Sequence, residues 1–186
     1  MIGVILAGGN STRFGEDKSL YNLDGAAMYK HVASNLINSG VCDKIVISTN
    51  ERLKSEFSEY ETIIDEDRYR DHGPLSGIYS VAKRYVGHPL LVVSTDTPYV
   101  PSVWLQILSD IYKKNGKTVV TKGKQLHPLV GIYHDPNLAM ILEDQLNSKQ
   151  LSIRQFLNKL DYMILDIEAE QLSESDFKNI NHKSDI

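Results

Sequence analysis

The sequence contains one cysteine, Cys42, among its 186 residues. A single cysteine excludes an intrachain disulfide and any zinc site built on paired cysteines. Long apolar runs are also missing, and no run approaches the roughly 20 residues that a membrane-spanning helix needs. The first residues carry neither a charged leader nor a cleavage site. We therefore expect a cytoplasmic protein that has no membrane partner.

Acidic residues slightly outnumber basic residues. The chain has 20 Lys and Arg residues against 24 Asp and Glu residues, for a net charge of −4, and no basic run occurs. Binding of nucleic acid through many phosphates needs clustered Lys and Arg, so we expect no nucleic-acid partner. A single nucleotide needs only one local positive loop, and the composition leaves that function open.

The sequence has no linker rich in Gly, Ser or Pro and no internal repeat. Its apolar content of 41% and charged content of 24% are those of an ordinary globular protein. At this length one full core is the simplest organisation, so we predict a single domain over residues 1–186.

Short apolar segments alternate with segments of helical periodicity. Apolar residues recur with helical spacing over 29–37, 75–86 and 104–112. Strand, helix, strand in alternation predicts a three-layer α/β/α sandwich around a mostly parallel sheet. The four predicted strands of this half are Ile2–Leu6, Lys44–Thr49, Thr62–Ile64 and Leu90–Ser94.

The second half has a less regular pattern. Val119-Val120 and Leu129–Tyr133 are predicted strands on either side of His127-Pro128. Asp135-Pro136 is predicted as the N-cap and first residue of a helix through Leu146. Further predictions are a helix over 153–160 that Ser152 caps, and a last strand at 162–167.

A glycine-rich loop follows the first strand, and residues 6–18 read L-A-G-G-N-S-T-R-F-G-E-D-K. Adjacent glycines leave backbone N–H groups unobstructed, and Arg13 and Lys18 add two positive charges. Such a loop is typical of phosphate binding. It matches neither G-x-x-x-x-G-K-[ST] nor G-x-G-x-x-G, which excludes a P-loop and a dinucleotide fingerprint.

The loop resembles the signature L-A-G-G-x-S-x-R-[FM]-G-x-D-K of the molybdenum cofactor guanylyltransferases, the MobA family. Every fixed position matches, and later motifs extend the resemblance over nearly the whole chain. It implies a Rossmann-like nucleotidyltransferase fold whose N-terminal part binds GTP and whose C-terminal part binds a pterin. The loop residues that it implies for GTP binding are Leu6, Ala7, Gly8, Gly9, Ser11, Arg13 and Lys18.

The same resemblance implies a reaction. GMP would pass from GTP to the terminal phosphate of molybdopterin or molybdenum-molybdopterin, which forms the molybdopterin guanine dinucleotide and releases pyrophosphate. Other cofactor-biosynthesis proteins and the proteins that receive the cofactor would be partners.

Asp96 follows the most apolar strand, where a carboxylate needs a partner to offset its desolvation. Mg²⁺ is one such partner, since it takes one or two carboxylates together with phosphate oxygens and water. Asp96-Thr97-Pro98 matches the D-x-P motif that binds Mg²⁺ in the family, and Mn²⁺ could replace it. The alternative is a helix N-cap. Arg13, Lys18 and Asp96 are the candidate catalytic residues.

Further candidates come from neighbouring strand ends. The resemblance implies that Asn50 contacts GTP and that an aspartate reads the base. That aspartate is either Asp65 or Asp67, and Asp65 is the first choice. A carboxylate can accept from both guanine donors, N1–H and the exocyclic amine. The G-P-L-x-G segment adds the binding residues Gly73, Pro74, Leu75 and Gly77.

The resemblance also places the pterin near His127 and near the F-x-N-x-N ending, at Asn179 and Asn181. The family ending continues with Thr-Pro, whereas His182-Lys183 follows here.

Two other functions remain open. One is a cytidylyltransferase of the same fold that acts on molybdopterin or on a small phosphate alcohol. The other is a GTP-binding module without catalysis.

Overall fold

A computed structural model describes residues 1–9 and 14–186. Seven strands form the central sheet: β1 (Ile2–Leu6), β4 (Lys44–Thr49), β5 (Glu61–Ile64), β6 (Leu90–Ser94), β7 (Thr118–Lys122), β8 (Leu126–Tyr133) and β9 (Tyr162–Asp166). β2 (Asn22–Leu23) and β3 (Ala26–Ala27) form a small hairpin. The helices are α1 (Met28–Ser39), α2 (Pro74–Arg84), α3 (Ser102–Asn115), α4 (Leu138–Asn147) and α5 (Ile153–Leu157).

The sheet has the order β5-β4-β1-β6-β8-β7-β9. β8 runs antiparallel to both of its neighbours, and the other pairs are parallel. β1 and β6 are buried along their whole length, as expected for central strands covered on both faces. The prediction of a mostly parallel sheet is confirmed.

Helices cover both faces of the sheet. α1 and α3 pack on one face with a core that includes Ile5, Leu36 and Trp104. α2 and α4 pack on the other with Val4 and Leu75 in the core. The three-layer sandwich is confirmed. No helix in the described part of the chain combines the length and apolarity needed to cross a membrane.

The prediction that His127-Pro128 lies between two strands is wrong, because β8 begins at Leu126 and contains both residues. Pairing with β7 is irregular there: Thr121 faces His127, whereas Val120 faces Gly131. Pro128 therefore lies in a bulge, where its missing N–H costs no ladder hydrogen bond.

Two helix predictions are also corrected. α4 begins at Leu138 rather than Pro136, and the Asp135 carboxylate accepts a hydrogen bond from the Asn137 N–H at 2.7 Å in the preceding turn. α5 ends at Leu157, although Ser152 does accept from the Gln155 N–H at 3.4 Å as predicted. Since α3 begins at Ser102, Asp96 is not a helix N-cap.

Candidate active site

A cavity of about 290 Å³ opens at the edge of the sheet where β1, β4, β5 and β6 end. These four strands are parallel neighbours, so the loops that follow them meet at one edge. The predicted site residues that line this cavity are Leu6, Ala7, Gly8, Gly9, Lys18, Asn50, Asp65, Gly73, Pro74, Gly77 and Asp96.

The glycine loop is braced against the turn after β4. The Ala7 N–H donates to the Ser48 carbonyl at 2.8 Å, and the Asn50 amide donates to the Gly8 carbonyl at 3.3 Å. The Asn50 side-chain oxygen also accepts from the Leu53 N–H at 3.1 Å. Asn50 therefore fixes the start of the loop. The predicted residues Ser11 and Arg13 lie outside the described residues.

Lys18 and Asp96 meet at the floor of the cavity, with 3.6 Å between Lys18 Nζ and Asp96 Oδ2. Their side chains are 17% and 20% exposed, so the pair is shielded but accessible to a ligand. The turn that carries Asp96 is held by the Thr97 hydroxyl, which donates to the Ser94 carbonyl at 3.0 Å. The structure thus brings together a cation and a carboxylate that the sequence separates by 78 positions.

The C-terminal segment completes this corner. The Ile180 N–H donates to the Asp96 carbonyl at 2.8 Å, and the Asn181 side-chain oxygen accepts from Lys18 Nζ at 3.4 Å. Asn181 was predicted on the pterin side, and here it adjoins the Lys18–Asp96 pair. Asn179, its partner in the motif, is half-buried two residues earlier.

Asp96 could hold a divalent cation. Within residues 1–9 and 14–186, no three His, Cys, Asp or Glu side chains group as a metal site. Mg²⁺ does not require such a group, since it binds through one or two carboxylates plus phosphate oxygens and waters. The carboxylate of Asp96 beside a phosphate-binding loop fits that donor set.

Asp65 lines the cavity at the far side, after β5. The Ser76 hydroxyl lies 2.5 Å from its carboxylate. Burial raises the pKa of the Asp65 carboxyl above its ordinary value and the charge of Asp71 adds to the rise, whereas the Ser76 hydrogen bond lowers it. Asp67, the other candidate, is exposed and pairs with Arg70 at 2.5 Å. The structure therefore brings Asp65, rather than Asp67, to the cavity.

The start of α2 forms one wall. Gly73 has φ 71°, a left-handed conformation that favours glycine, and Pro74 opens the helix. Gly77 is required by packing: a Cβ there would lie 2.5 Å from Ser48 Oγ and 3.2 Å from Leu6 Cδ2. Leu75 is fully buried in the core below the cavity.

His127 is not among the residues that line the cavity. It is 5% exposed, its ring contacts Phe177 at a centroid distance of 5.9 Å, and Nε2 lies 3.5 Å from Glu174 Oε1. Among the described groups, no hydrogen-bond partner of His127 Nε2 is found. His127 is therefore buried beside Phe177 and Glu174, and its contact with a pterin stays a prediction.

Several residues at the site were missed from the sequence. Ser76 occupies the variable position of G-P-L-x-G, and its helical neighbourhood gave no sign that it reaches Asp65. Arg70 and Asp71 line the cavity from the irregular segment before α2. Arg52 contacts the loop at Asp17, and only its nearness to Asn50 in sequence could have suggested it.

Together these groups suit nucleotide chemistry. Glycine backbone and Lys18 can bind phosphates, Asp96 can hold a cation between them, and Asp65 can accept from a base. Asp65 follows β5 and Asp96 follows β6, which are three strand spacings apart, or about 14 Å. A nucleoside triphosphate fits that span.

Comparison with known proteins identifies a family and a fold. A family model described as a MobA-like NTP transferase domain matches residues 3–163. Molybdopterin-guanine dinucleotide biosynthesis protein A from Archaeoglobus fulgidus superposes with a TM-score of 0.82 at 22% identity, covering 100% of this chain and 94% of that chain.

A second solved structure carries a different function. The 4-diphosphocytidyl-2C-methyl-D-erythritol synthase from Anaerococcus prevotii superposes with a TM-score of 0.75 at 11% identity, covering 99% of this chain and 93% of that chain. At these identities the two structures establish the fold alone, and they confirm the prediction of a Rossmann-like nucleotidyltransferase architecture.

Proposed function

Because the chain belongs to the MobA-like NTP transferase family, we propose that it transfers GMP from GTP to the terminal phosphate of molybdopterin or molybdenum-molybdopterin and releases pyrophosphate. The observation that carries this proposal is the arrangement of one cavity: Asp65 lies at one side, and the Lys18–Asp96 pair lies about three strands away. Location in the cytoplasm, and partnership with cofactor-biosynthesis and acceptor proteins, remain predictions.

The proposed step is an in-line displacement at phosphorus. A terminal phosphate oxygen of the acceptor attacks the α-phosphorus of GTP, and the bond from that phosphorus to the bridging oxygen breaks as pyrophosphate leaves. The attacking oxygen is already ionised, so the step needs no general base. Catalysis then depends on alignment and on neutralising charge.

The chain supplies both requirements. Lys18 is a compact positive charge that would lie beside the phosphates, and Gly8 and Gly9 line the same cavity, where their backbone N–H groups can donate to phosphate oxygens. When bound at Asp96, Mg²⁺ (or Mn²⁺) would neutralise charge on the triphosphate. Arg13 is the other proposed catalytic cation. The contact between Asn181 and Lys18 supports an acceptor site at the C-terminal corner of the cavity.

Asp65 is the proposed base-reading residue. Guanine presents N1–H and its exocyclic amine side by side, and an ionised carboxylate accepts from both. Cytosine presents an acceptor, N3, beside its amine, so an ionised Asp65 disfavours it. GTP is therefore the nucleotide that we propose.

A cytidylyltransferase is the second candidate, and the fold shared with a diphosphocytidyl synthase supports it. The Gly8-Gly9 pair argues against it, since the cytidylyl relatives have a similar loop in which alanine replaces the second glycine.

The test is transfer of label from GTP that carries it on the α-phosphate. Incubated with Mg²⁺ and molybdopterin, the protein should place the label in a pterin dinucleotide and release unlabelled pyrophosphate, and CTP should serve far less well. Faster transfer from CTP would overturn the guanylyl assignment. Binding of GTP without pyrophosphate release would instead support the non-catalytic module.

A further inference from the structure

Two acidic residues, Glu16 and Asp17, precede Lys18 in the loop that lines the cavity. Asp17 pairs with Arg52, whose Nη1 and Nη2 donate to the two carboxylate oxygens of Asp17 at 2.5 and 2.7 Å. These hydrogen bonds hold the pKa of the Asp17 carboxyl below its ordinary value. The paired geometry needs the planar fork of arginine, which a lysine cannot reproduce.

Arg52 extends from the same turn that braces the start of the loop. Asn50, two residues earlier, donates to the Gly8 carbonyl near the start of the glycine loop, and Arg52 donates to the Asp17 carboxylate near its end. The turn itself is firm, because Leu53 is buried and its N–H donates to both the Asn50 carbonyl and the Asn50 side-chain oxygen. One short turn after β4 therefore holds the start and the end of the glycine loop.

We propose that Arg52 is a positioning residue for Lys18. By fixing Asp17, it holds the adjacent Lys18 beside Asp96 and preorganises this lysine for a triphosphate. This inference rests on the proposed function only in that the loop binds phosphates. Arg52 is 58% exposed, so a general attraction between its charge and the ligand is the competing explanation.

Binding of inorganic tripolyphosphate to the full chain, measured by calorimetry at fixed Mg²⁺, separates the two explanations. Loss of the fork in R52Q should raise the Kd about fivefold. R52K keeps the charge but loses the fork, so its affinity should also fall. D17N should weaken binding too, and D17N/R52Q should bind no worse than R52Q, because both changes remove one interaction.

Thermal unfolding and a control variant distinguish a positioning role of Arg52 from a structural role. The thermal unfolding midpoints of the variants should stay at the wild-type value, and K117Q is the matched control because it breaks the exposed Lys117–Asp161 pair far from the loop. Wild-type affinity in R52K, or tighter binding by D17N, would overturn the inference in favour of general attraction. Affinity that falls together with the unfolding midpoint would overturn it in favour of a structural role.

The proposed function can fail separately. If wild-type protein binds tripolyphosphate and the Arg52 variants bind equally well, only the positioning role is wrong. If wild-type protein does not bind tripolyphosphate, the phosphate-binding assignment of the loop fails, and the positioning role fails with it.

Discussion

Lys18 and Asp96 are the two charged side chains that we expect to contribute most to turnover. We expect K18A and D96A each to lower turnover by about 10²–10³-fold, because each removes charge stabilisation that acts on the departing pyrophosphate. Both residues sit at the cavity surface, so folding should be retained. Pyrophosphate release is the measurement.

A matched control is D161A, which removes a carboxylate from an exposed ion pair with Lys117. It should keep the wild-type rate. Unchanged rates in K18A and D96A, with circular dichroism spectra like that of the wild type, would show that the reacting phosphates lie elsewhere.

The base-reading role proposed for Asp65 leads us to expect a pH dependence of GTP binding, and the sign of that dependence follows from the role. Only the ionised carboxylate accepts from both guanine donors, so affinity for GTP should fall as pH falls through the pKa of Asp65. Burial raises that pKa, and the loss of affinity should therefore begin at a higher pH than for an ordinary aspartate, whose pKa is about 3.9. Titrations of GTP at several pH values measure it.

Ser76 supplies a comparison for the same titration. Its hydrogen bond lowers the pKa of Asp65, so S76A should move the loss of GTP affinity to still higher pH. D65N cannot ionise and should bind GTP weakly with no such transition. A transition that persists in D65N would assign the titration to another group.

At the scale of elements, close packing of α2 on the sheet requires a glycine at position 77. In G77A the new Cβ meets Ser48 Oγ and Leu6 Cδ2 where helix and sheet touch. We expect a loss of about 1–3 kcal/mol in the free energy of unfolding, which outweighs the better helix propensity of alanine. Chemical denaturation measures the change.

Removal of the Ser48 hydroxyl tests the cause. S48A in the G77A background should recover part of the lost stability, whereas the contact with Leu6 at 3.2 Å remains. If G77A were as stable as the wild type yet failed to bind GTP, Gly77 would instead be needed for the ligand.

The elements that could be predicted are the strands whose buried residues follow one another directly in the sequence. β1, β4 and β6 were predicted with the bounds that the structure has, since central parallel strands are continuous apolar runs. β8 was predicted three residues too short, because Pro128 signals a break and only the neighbouring β7 shows that it lies in a bulge. The start of α4 was misplaced because the Asp135-Pro136 pair also suits a turn.

At the scale of the whole molecule, the C-terminal segment packs against the N-terminal part of the chain. Ile180 is 1% exposed in a cluster with Phe14, Leu23 and Met28. We expect I180A to cost about 2–4 kcal/mol of unfolding free energy, because a buried isoleucine leaves a cavity. I164A, at a position 49% exposed on β9, should change stability by less than about 0.5 kcal/mol.

Equal stability of these two isoleucine variants would show that the C-terminal segment is not packed as described. A loss confined to I180A would confirm that the last residues hold the hairpin that follows the glycine loop.

The site could be predicted to the extent that its residues follow strands. Asp65, Asn50 and Asp96 were expected at one edge because parallel strands end together there. The contact of Asn181 with Lys18 could not be predicted, since it joins residues 163 positions apart through the packing of Ile180. The Asp17–Arg52 pair was missed because it joins side chains 35 positions apart that no sequence pattern links. The single-domain organisation stays a prediction.

A crystal structure of the protein with GTP and Mg²⁺ would show directly where the nucleotide and the metal ion bind. We expect the guanine edge against Asp65, the phosphates along the glycine loop at Lys18, and a metal ion on Asp96. Guanine bound away from Asp65, or phosphates that touch neither Lys18 nor an ion on Asp96, would contradict this expectation.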